Sequence, residues 1–181
     1  MFYMVYHSKI GDIYLESDGE YLTALVFAGS RNMNKISHEI ERKDLPVFLD
    51  TCKWLDTYFS GKNPDFEPKY KFTNLTPFRK EVYNILKTIP YGKTINYGEI
   101  AHSLALNKGI KKMSAQAVGG AVGSNPICII VPCHRVVGTN GKLIGYGGGL
   151  KNKQSLLELE THFAKMWKAY YLRLIGENKK L

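Results

Sequence analysis

From Phe2 to Phe27 apolar and polar residues alternate in short runs. "FYMVYH", "DIYLES" and "YLTALVFA" carry the period of two that sends alternate side chains to opposite faces of a sheet. Gly11 and the pair Asp18-Gly19 divide the runs and suit tight reversals, so three short antiparallel strands are expected. From Asn34 to Phe59 the period lengthens: Ile36, Ile40, Val47, Leu55 and Phe59 fall mostly at helical spacing, with Pro46 breaking or restarting the helix. "SGKNPDFEPKYKFTNLTPF" is proline-rich, has little periodicity and reads as a linker. We place a domain boundary there, with residues 1–72 before it and 73–181 after it.

The second part is patterned for helices. Thr76-Pro77 supplies an N-cap and a proline at the first helical position, and Phe78, Val82, Ile85, Leu86 and Ile89 line one face. Asn96 followed by Glu99 predicts a capping box opening the short helix "YGEIAHSLAL". A polar loop containing Gly109 leads to Ser114, which can cap "AQAVGGAVG". Two short helices joined by such a loop suggest a helix-turn-helix, with a connection longer than the usual tight turn. The second helix is bare. Gly119, Gly120 and Gly123 each cost about 1 kcal/mol against alanine inside a helix. Either it packs tightly on a neighbouring helix or its backbone approaches something outside the protein, such as a DNA groove. Gln116 alone projects beyond the small residues.

Charge divides the chain at the same boundary. Residues 1–72 carry nine Lys/Arg and eleven Asp/Glu, net −2, whereas residues 73–181 carry sixteen and five, net +11, which together give +9. Basic charge confined to one domain is the footprint of a polyanion-binding surface, nucleic acid before membrane. No apolar run approaches the roughly 18 residues of a membrane span, and the N-terminal "MFYMVYHSKIGDIYLES" matches neither a signal nor a transit peptide. Three cysteines, Cys52, Cys128 and Cys133, form no disulfide framework and suit a reducing cytosol or nucleus. His7 and His38 stand alone and read as surface residues rather than ligands.

The chemistry concentrates in "IIVPCHRVVG", residues 129–138. The β-branched "CIIV" reads as a buried strand ended by Pro132. Cys133 is then a buried small hydrophobe, a metal ligand or a nucleophile. Metal binding lacks paired ligand spacing. A nucleophilic thiol needs a proton acceptor or a cation nearby, and His134 and Arg135 are adjacent in sequence. Neighbours in extended chain point opposite ways, so His134 reaches the sulfur only if the backbone bends at Cys133. Downstream, "GTNGKLIGYGGGL" can bring backbone groups close to a flat ligand, with Tyr146 covering a face, or form a hairpin or wing. "KNKQSLLELE" is a helix whose Glu158 and Glu160 are candidates to orient a histidine.

With these residues in view, the chain resembles the O6-alkylguanine-DNA alkyltransferases. "NPICIIVPCHRVVGTNGKLIGYGGGL" is similar to their active-site block, "TPFRKEVYNILKTIPYGKTINYGEIA" to the helix and turn preceding their helix-turn-helix, and "AVGGAVGSNP" to their recognition helix. "YFSGKNPDF" extends the likeness, which runs from about Trp54 to Glu160. The resemblance implies an α+β protein of two domains: a small N-terminal α/β, RNase H-like domain with an antiparallel sheet, and a mostly α-helical, winged helix-turn-helix-like C-terminal domain. It implies irreversible transfer of an alkyl group from guanine O6, and from thymine O4, onto Cys133, one protein being consumed per lesion. His134 would take the thiol proton through a water, Glu160 would orient the imidazole, and Asn125 would brace the turn. Tyr97 would donate to the flipped base, backbone groups near Val136 and Gly147 would hold its edge, and Tyr146 would wall the pocket. Ser114, Ala115, Gln116, Ala117, Gly119 and Gly120 would face DNA, and Arg135 would be structural or lie near phosphate. The expected partner is duplex DNA carrying alkylated guanine, bound by a cytoplasmic monomer that uses neither cofactor nor metal.

Three departures qualify the likeness. Gln116 stands where the family usually carries an intercalating arginine. The connection "LALNKGIKKMS" is long and places Lys108, Lys111 and Lys112 where they can meet phosphates. Cys128 occupies a pocket-side position that is proline in some relatives. Cys52 is the lone cysteine of residues 1–72, so a zinc site of the type some relatives carry there is not expected.

Overall fold

The computed structural model describes residues 1–37 and 39–161; His38 and the basic segment 162–181 lie outside the described residues. Strands β1 (Phe2–Ser8), β2 (Gly11–Ser17) and β3 (Leu22–Phe27) form the expected antiparallel meander. Gly11 and Gly19 take the positive φ values, 123° and 109°, that the two reversals require. The pleat places Ile13, Leu15, Leu25 and Phe27 on one fully buried face, and Met4 joins them opposite Leu15. Ala24 and Val26 point the other way and pack with Ile36 in a smaller cluster, so β3 is covered on both sides.

The helix expected from Asn34 begins only at Pro46. Residues Met33–Lys35 form a single 3₁₀ turn, and Ile40–Glu41 pair in parallel with β1 as β4, giving the order β3-β2-β1-β4. Proline disfavours helical backbone in the residue before it, and Leu45 is extended at φ −67°, ψ 132°. Pro46 therefore starts α1 (Pro46–Phe59), which lays Val47, Phe48, Thr51, Trp54, Leu55, Tyr58 and Phe59 into the core. His7 lies at the surface beside Asp12, with its Nδ1 2.8 Å from the carboxylate. The linker is partly stitched down: Leu22 N donates to Lys69 O and Lys71 N to Leu22 O.

Helix α2 (Pro77–Lys87) starts as predicted, the Thr76 hydroxyl accepting from Arg79 N. The two-residue β5 (Ile95–Asn96) leads into α3 (Tyr97–Asn107), whose Asn96–Glu99 capping box is complete. Ser114 caps α4 (Ala115–Gly123). Helices α2, α3 and α4 pack on one another, and β6 (Val136–Val137) pairs in parallel with β5. A glycine-rich loop then leads to a last helix, α5, over 150–161. One hydrophobic cluster runs from Met4 to Leu156 and takes in both parts of the chain. Leu25 N donates to Pro126 O and Cys128 N to Leu25 O, which seats the site-bearing segment directly on β3. Among the described residues no helix is long and apolar enough to cross a membrane.

The glycines differ in what they tolerate. A Cβ on Gly148 would stand 2.7 Å from both Phe27 Cδ2 and Tyr146 Cε1, whereas one on Gly120 would meet nothing within 4 Å. Gly148→Ala is expected to lower stability by about 1–3 kcal/mol through overpacking. Gly120→Ala is expected to raise it by about 1 kcal/mol through helix propensity. Urea denaturation of the two variants measures both.

Candidate active site

The segment before Cys133 folds around one side chain. Asn125 is buried; its Nδ2 donates to Ile127 O (3.2 Å), Val131 O (2.9 Å) and Cys133 Sγ (3.0 Å), while its Oδ1 accepts from Ile127 N (3.0 Å). These bonds take the place of a strand partner. The expected strand at "CIIV" is accordingly absent: Ile127 makes a single bridge to Leu25, and the chain then coils. Ile129 sits at φ 68°, a left-handed conformation that β-branched residues avoid and that the surrounding bonds enforce. Pro132 (φ −81°, ψ 61°) leads into a 3₁₀ turn over Cys133–Arg135. The bend that the histidine required is therefore present, and it turns His134 and Arg135 to a common partner.

His134 and Arg135 turn toward Glu160 on α5. His134 Nε2 lies 2.8 Å from Glu160 Oε1, and the Tyr58 hydroxyl of α1 donates to the same oxygen at 2.8 Å. Arg135 donates through Nε (3.0 Å to Oε2) and Nη2 (2.9 Å to Oε1), and Gly92 N donates to Oε2 at 2.9 Å. Burial works against ionisation of Glu160, but His134 and Arg135 outweigh it and bring the carboxyl down to about 2. Burial also lowers the His134 imidazole below its usual range, opposed by the carboxylate. A neutral ring facing an ionised carboxylate carries its hydrogen on Nε2, which leaves Nδ1 as the basic nitrogen. Nδ1 is buried and has no protein partner.

Arg135 is thus structural and is not part of a DNA-facing surface. Its third anchor, Nη1 to Ile89 O at 2.7 Å, and its place over the Tyr91 ring complete a buried guanidinium. Glu158 is exposed and accepts from Gln154, so of the two glutamates only Glu160 meets the histidine.

Cys133 is 2% exposed. Its thiol is held below the ordinary range by a hydrogen bond from Cys128, against burial, with further help from the Asn125 amide and the charge of Lys153. Lys153, on α5, is fully buried, and its Nζ donates to Val136 O (2.6 Å), Ile144 O (2.9 Å) and Gly145 O (3.2 Å). Burial pulls its pKa down to about 8. Tyr97 OH donates to the same Ile144 and Gly145 carbonyls, each at 3.1 Å, and burial followed by the nearby sulfur pushes this phenol up to about 12. Of the backbone groups expected to hold a base edge, Val136 O accepts from Lys153 Nζ and Gly147 O from Arg31 N. Tyr146 tilts against Phe27, its hydroxyl buried toward Cys128 without a nitrogen or oxygen partner. A cavity of about 470 Å³ opens above, lined among others by Tyr97, Gln116, Gly119, Thr139 and Ile144, and it stops short of Cys133.

On α4, Ser114, Ala115, Gln116, Ala117 and Gly120 are exposed, and Gly119 faces the Tyr97 ring with room for a methyl group (3.8 Å). Internal packing does not demand these small residues, which removes the first explanation for the bare helix. Lys108 pairs with Glu81 at 2.8 Å, while Lys111 and Lys112 remain exposed beside the start of α4. Among the described residues no group of three His, Cys, Asp or Glu side chains is placed to hold a metal ion.

Tyr58 and Lys153 are site residues that the sequence reading missed. Lys153, Leu156 and Glu160 recur at the spacing of one helix face, and that periodicity would have marked the lysine as inward-facing. Tyr58 had no signal beyond its place on the apolar face of α1.

Two family models match the chain: the ribonuclease-like domain of 6-O-methylguanine DNA methyltransferase over residues 1–70, and the DNA binding domain of the same protein over residues 77–162. The chain is 42% identical over 161 residues to the methylated-DNA--protein-cysteine methyltransferase of Methanosarcina acetivorans, covering 88% of this chain and 98% of the relative. It is 43% identical over 159 residues to the protein of that name from Mycobacterium leprae, covering 86% and 89%. Among solved structures, Mycobacterium tuberculosis OGT in complex with DNA superposes with a TM-score of 0.76 at 39% identity, over 90% of this chain and 94% of that one. The O6-methylguanine-DNA methyltransferase of Pyrococcus kodakaraensis gives a TM-score of 0.61 at 30% identity, over 88% and 98%. Likeness of this extent in both halves, together with a cysteine braced by an asparagine and backed by a histidine–glutamate pair, places the chain in the 6-O-methylguanine DNA methyltransferase family.

Proposed function

We propose that this chain repairs duplex DNA by moving the alkyl group of O6-alkylguanine, and of O4-alkylthymine, onto Cys133, once per molecule. The observation that carries the reading is the Cys133 sulfur held by the Asn125 amide, next in the chain to a neutral His134 whose Nε2 is fixed by a buried, ionised Glu160. His134 Nδ1 takes the thiol proton, through a water, and Glu160 stabilises the imidazolium that results. The thiolate then attacks the alkyl carbon: the S–C bond forms as the C–O6 bond breaks, and its electron pair stays with the base. A proton delivered to the guanine completes the exchange. The product is a thioether, which no neighbouring group can cleave, so the protein is spent.

The base must leave the helix stack to reach a buried sulfur, at a cost of a few kcal/mol that is lower for a damaged pair. The cavity beside Gln116 and Tyr97 is the entrance. Tyr97 leaves the Ile144 and Gly145 carbonyls to donate to the base as negative charge develops, while Lys153 keeps those carbonyls bonded. The exposed alanines and glycines of α4 let its backbone approach a groove, and Gln116 fills the gap left by the base. Lys111 and Lys112 meet phosphates. The boundary at 72/73 falls in the gap between the two family models. The protein acts as a monomer in the cytoplasm, at the nucleoid or in the nucleus, as its DNA substrate requires.

Incubation with duplex carrying a radiolabelled O6-methyl group is expected to label one site per chain, and Cys133→Ser is expected to remain unlabelled. Equal labelling of that variant would sink the reading. Glu160→Gln is expected to cost about 3–5 kcal/mol in denaturant melts, because it leaves the buried Arg135 charge unpaired, and to slow transfer as well. Folded Glu160 binds its proton less readily than unfolded Glu160, so its stabilisation is present above the ordinary value of 4.5 and is lost as pH falls toward about 2. His134, also lowered, acts in the same direction. The wild-type urea midpoint should therefore drop on acidification more steeply than that of Glu160→Gln. Gln116→Arg is expected to speed repair of duplex DNA more than reaction with free alkylguanine; equal gains on both would refute a role in extrusion.

A further inference from the structure

Glu160 Oε1 is a crowded acceptor. His134 Nε2 donates to it at 2.8 Å, the Tyr58 hydroxyl at 2.8 Å and Arg135 Nη2 at 2.9 Å, while Oε2 has Arg135 Nε at 3.0 Å and Gly92 N at 2.9 Å. Arg135 supplies the charge that a buried carboxylate needs to stay ionised, and His134 is the base that the carboxylate orients. Tyr58 has no part in the reaction as written, and it alone of these donors comes from the N-terminal domain. Its ring is fully buried and held by other rings: Trp54 stacks on it at 5.4 Å, and Phe59 and Tyr91 meet it edge to face at 5.4 and 6.0 Å.

The hydroxyl stands against the imidazole as well as the carboxylate. The Tyr58 and His134 rings cross at 78° with centroids 6.4 Å apart, and the phenol oxygen lies 3.4 Å from His134 Nε2. Burial keeps the phenol neutral, so its hydrogen is available to Oε1 whether the imidazole is neutral or charged. A carboxylate oxygen offers two lone pairs, and donors from three side chains converge on this one. What Tyr58 takes is withdrawn from His134. The withdrawal matters most when the imidazole is protonated, because a charged donor gains more from a carboxylate than a neutral one does. Of the other ionisable groups around the pair, Arg135 in the same turn and Lys153 on α5 disfavour charge on His134, and Glu160 favours it. Cys133 precedes His134 in its turn, Tyr91 lies near Glu160, and Tyr146 of the glycine-rich loop lies toward Tyr58. Of these phenols Tyr58 is the one that bonds Oε1; the Tyr91 hydroxyl donates to Gly61 O instead.

Resting on the alkyl-transfer reading above, we propose that Tyr58 is a positioning residue for the proton acceptor: its hydroxyl shares Glu160 Oε1 with His134 Nε2, holds the carboxylate in the orientation that fixes the imidazole, and limits how strongly that carboxylate stabilises the imidazolium. His134 thus rests neutral, with Nδ1 able to take the thiol proton, at a pH where an unshared carboxylate would already have charged it. The N-terminal domain thereby acts on the chemistry through one phenol of α1.

The test compares the full chain with Tyr58→Phe, which keeps the ring and removes the hydroxyl, and with Tyr91→Phe, which removes a phenol near the carboxylate but not bonded to it. Nitrogen NMR of protein with isotopically labelled histidine follows the His134 ring against pH, its resonance assigned by its loss in His134→Gln. Single-turnover transfer from duplex carrying O6-methylguanine is timed over the same range. Tyr58→Phe is expected to raise the His134 midpoint by about one pH unit, slowing transfer up to about tenfold below it and reaching the wild-type plateau above it. Tyr91→Phe is expected to hold the wild-type midpoint. An unmoved or lowered midpoint in Tyr58→Phe, or an equal shift in both variants, overturns the proposal; a merely structural phenol would lower the melting temperature and leave the midpoint in place. If thermal melts show Tyr58→Phe to be unfolded, a ring-fluorinated tyrosine introduced at position 58 alone, a stronger donor, is expected to lower the midpoint, and an unmoved midpoint there overturns the proposal. The titration needs no DNA. A raised midpoint in Tyr58→Phe beside a wild type that transfers no methyl group would overturn the repair reading and leave the shared carboxylate standing.

Discussion

The buried carboxylate of Glu160 is the point from which the site is hung. A charge withdrawn from water must be met by partners, and here they come from separate stretches of chain: Tyr58 on α1, Gly92 in the turn before β5, and His134 and Arg135 in the turn after Cys133. One side chain thereby ties the N-terminal layer, the helical part and the reactive turn to α5. Arg135 holds the carboxylate in place and ionised, and the ionised carboxylate settles which nitrogen of His134 carries hydrogen. The order of dependence runs from charge to tautomer to proton acceptor.

The reactive turn itself is held from the opposite side by an uncharged group. Asn125 satisfies backbone atoms that a strand would otherwise pair, and in doing so allows a β-branched residue to stay in a left-handed conformation. Such strain persists only where several bonds agree on it. The seat on β3 through Leu25 adds to that agreement, so the small sheet, which contributes no reactive group, nonetheless fixes where the thiol stands.

Much of this was legible in the chain. The alternation before Phe27, the Thr76-Pro77 start and the Asn96–Glu99 box are local signals, and each formed as read. The failures share a cause. "CIIV" has strand composition, but a side chain distant in the ladder sense, Asn125, took the place of a partner strand. Residues 34–45 have helical spacing, but β1 offered Ile40 and Glu41 an edge, and Pro46 forbade a helix running into it. For Arg135 the sequence left a structural place and one near phosphate both open, and the partner that decides between them, Glu160, comes from a different helix. Local pattern reports local geometry; who meets whom across the core is set by packing.

The burial of Cys133 has a consequence for the protein between lesions. A molecule that is consumed by its own reaction is a stock to be conserved, and a soft thiolate is open to every stray electrophile and oxidant in the cell. Cys133 is 2% exposed and does not line the outer cavity, which Tyr97 and Gly145 border. A buried sulfur meets such reagents less often than an exposed one, so its burial bears on how long the unused protein lasts.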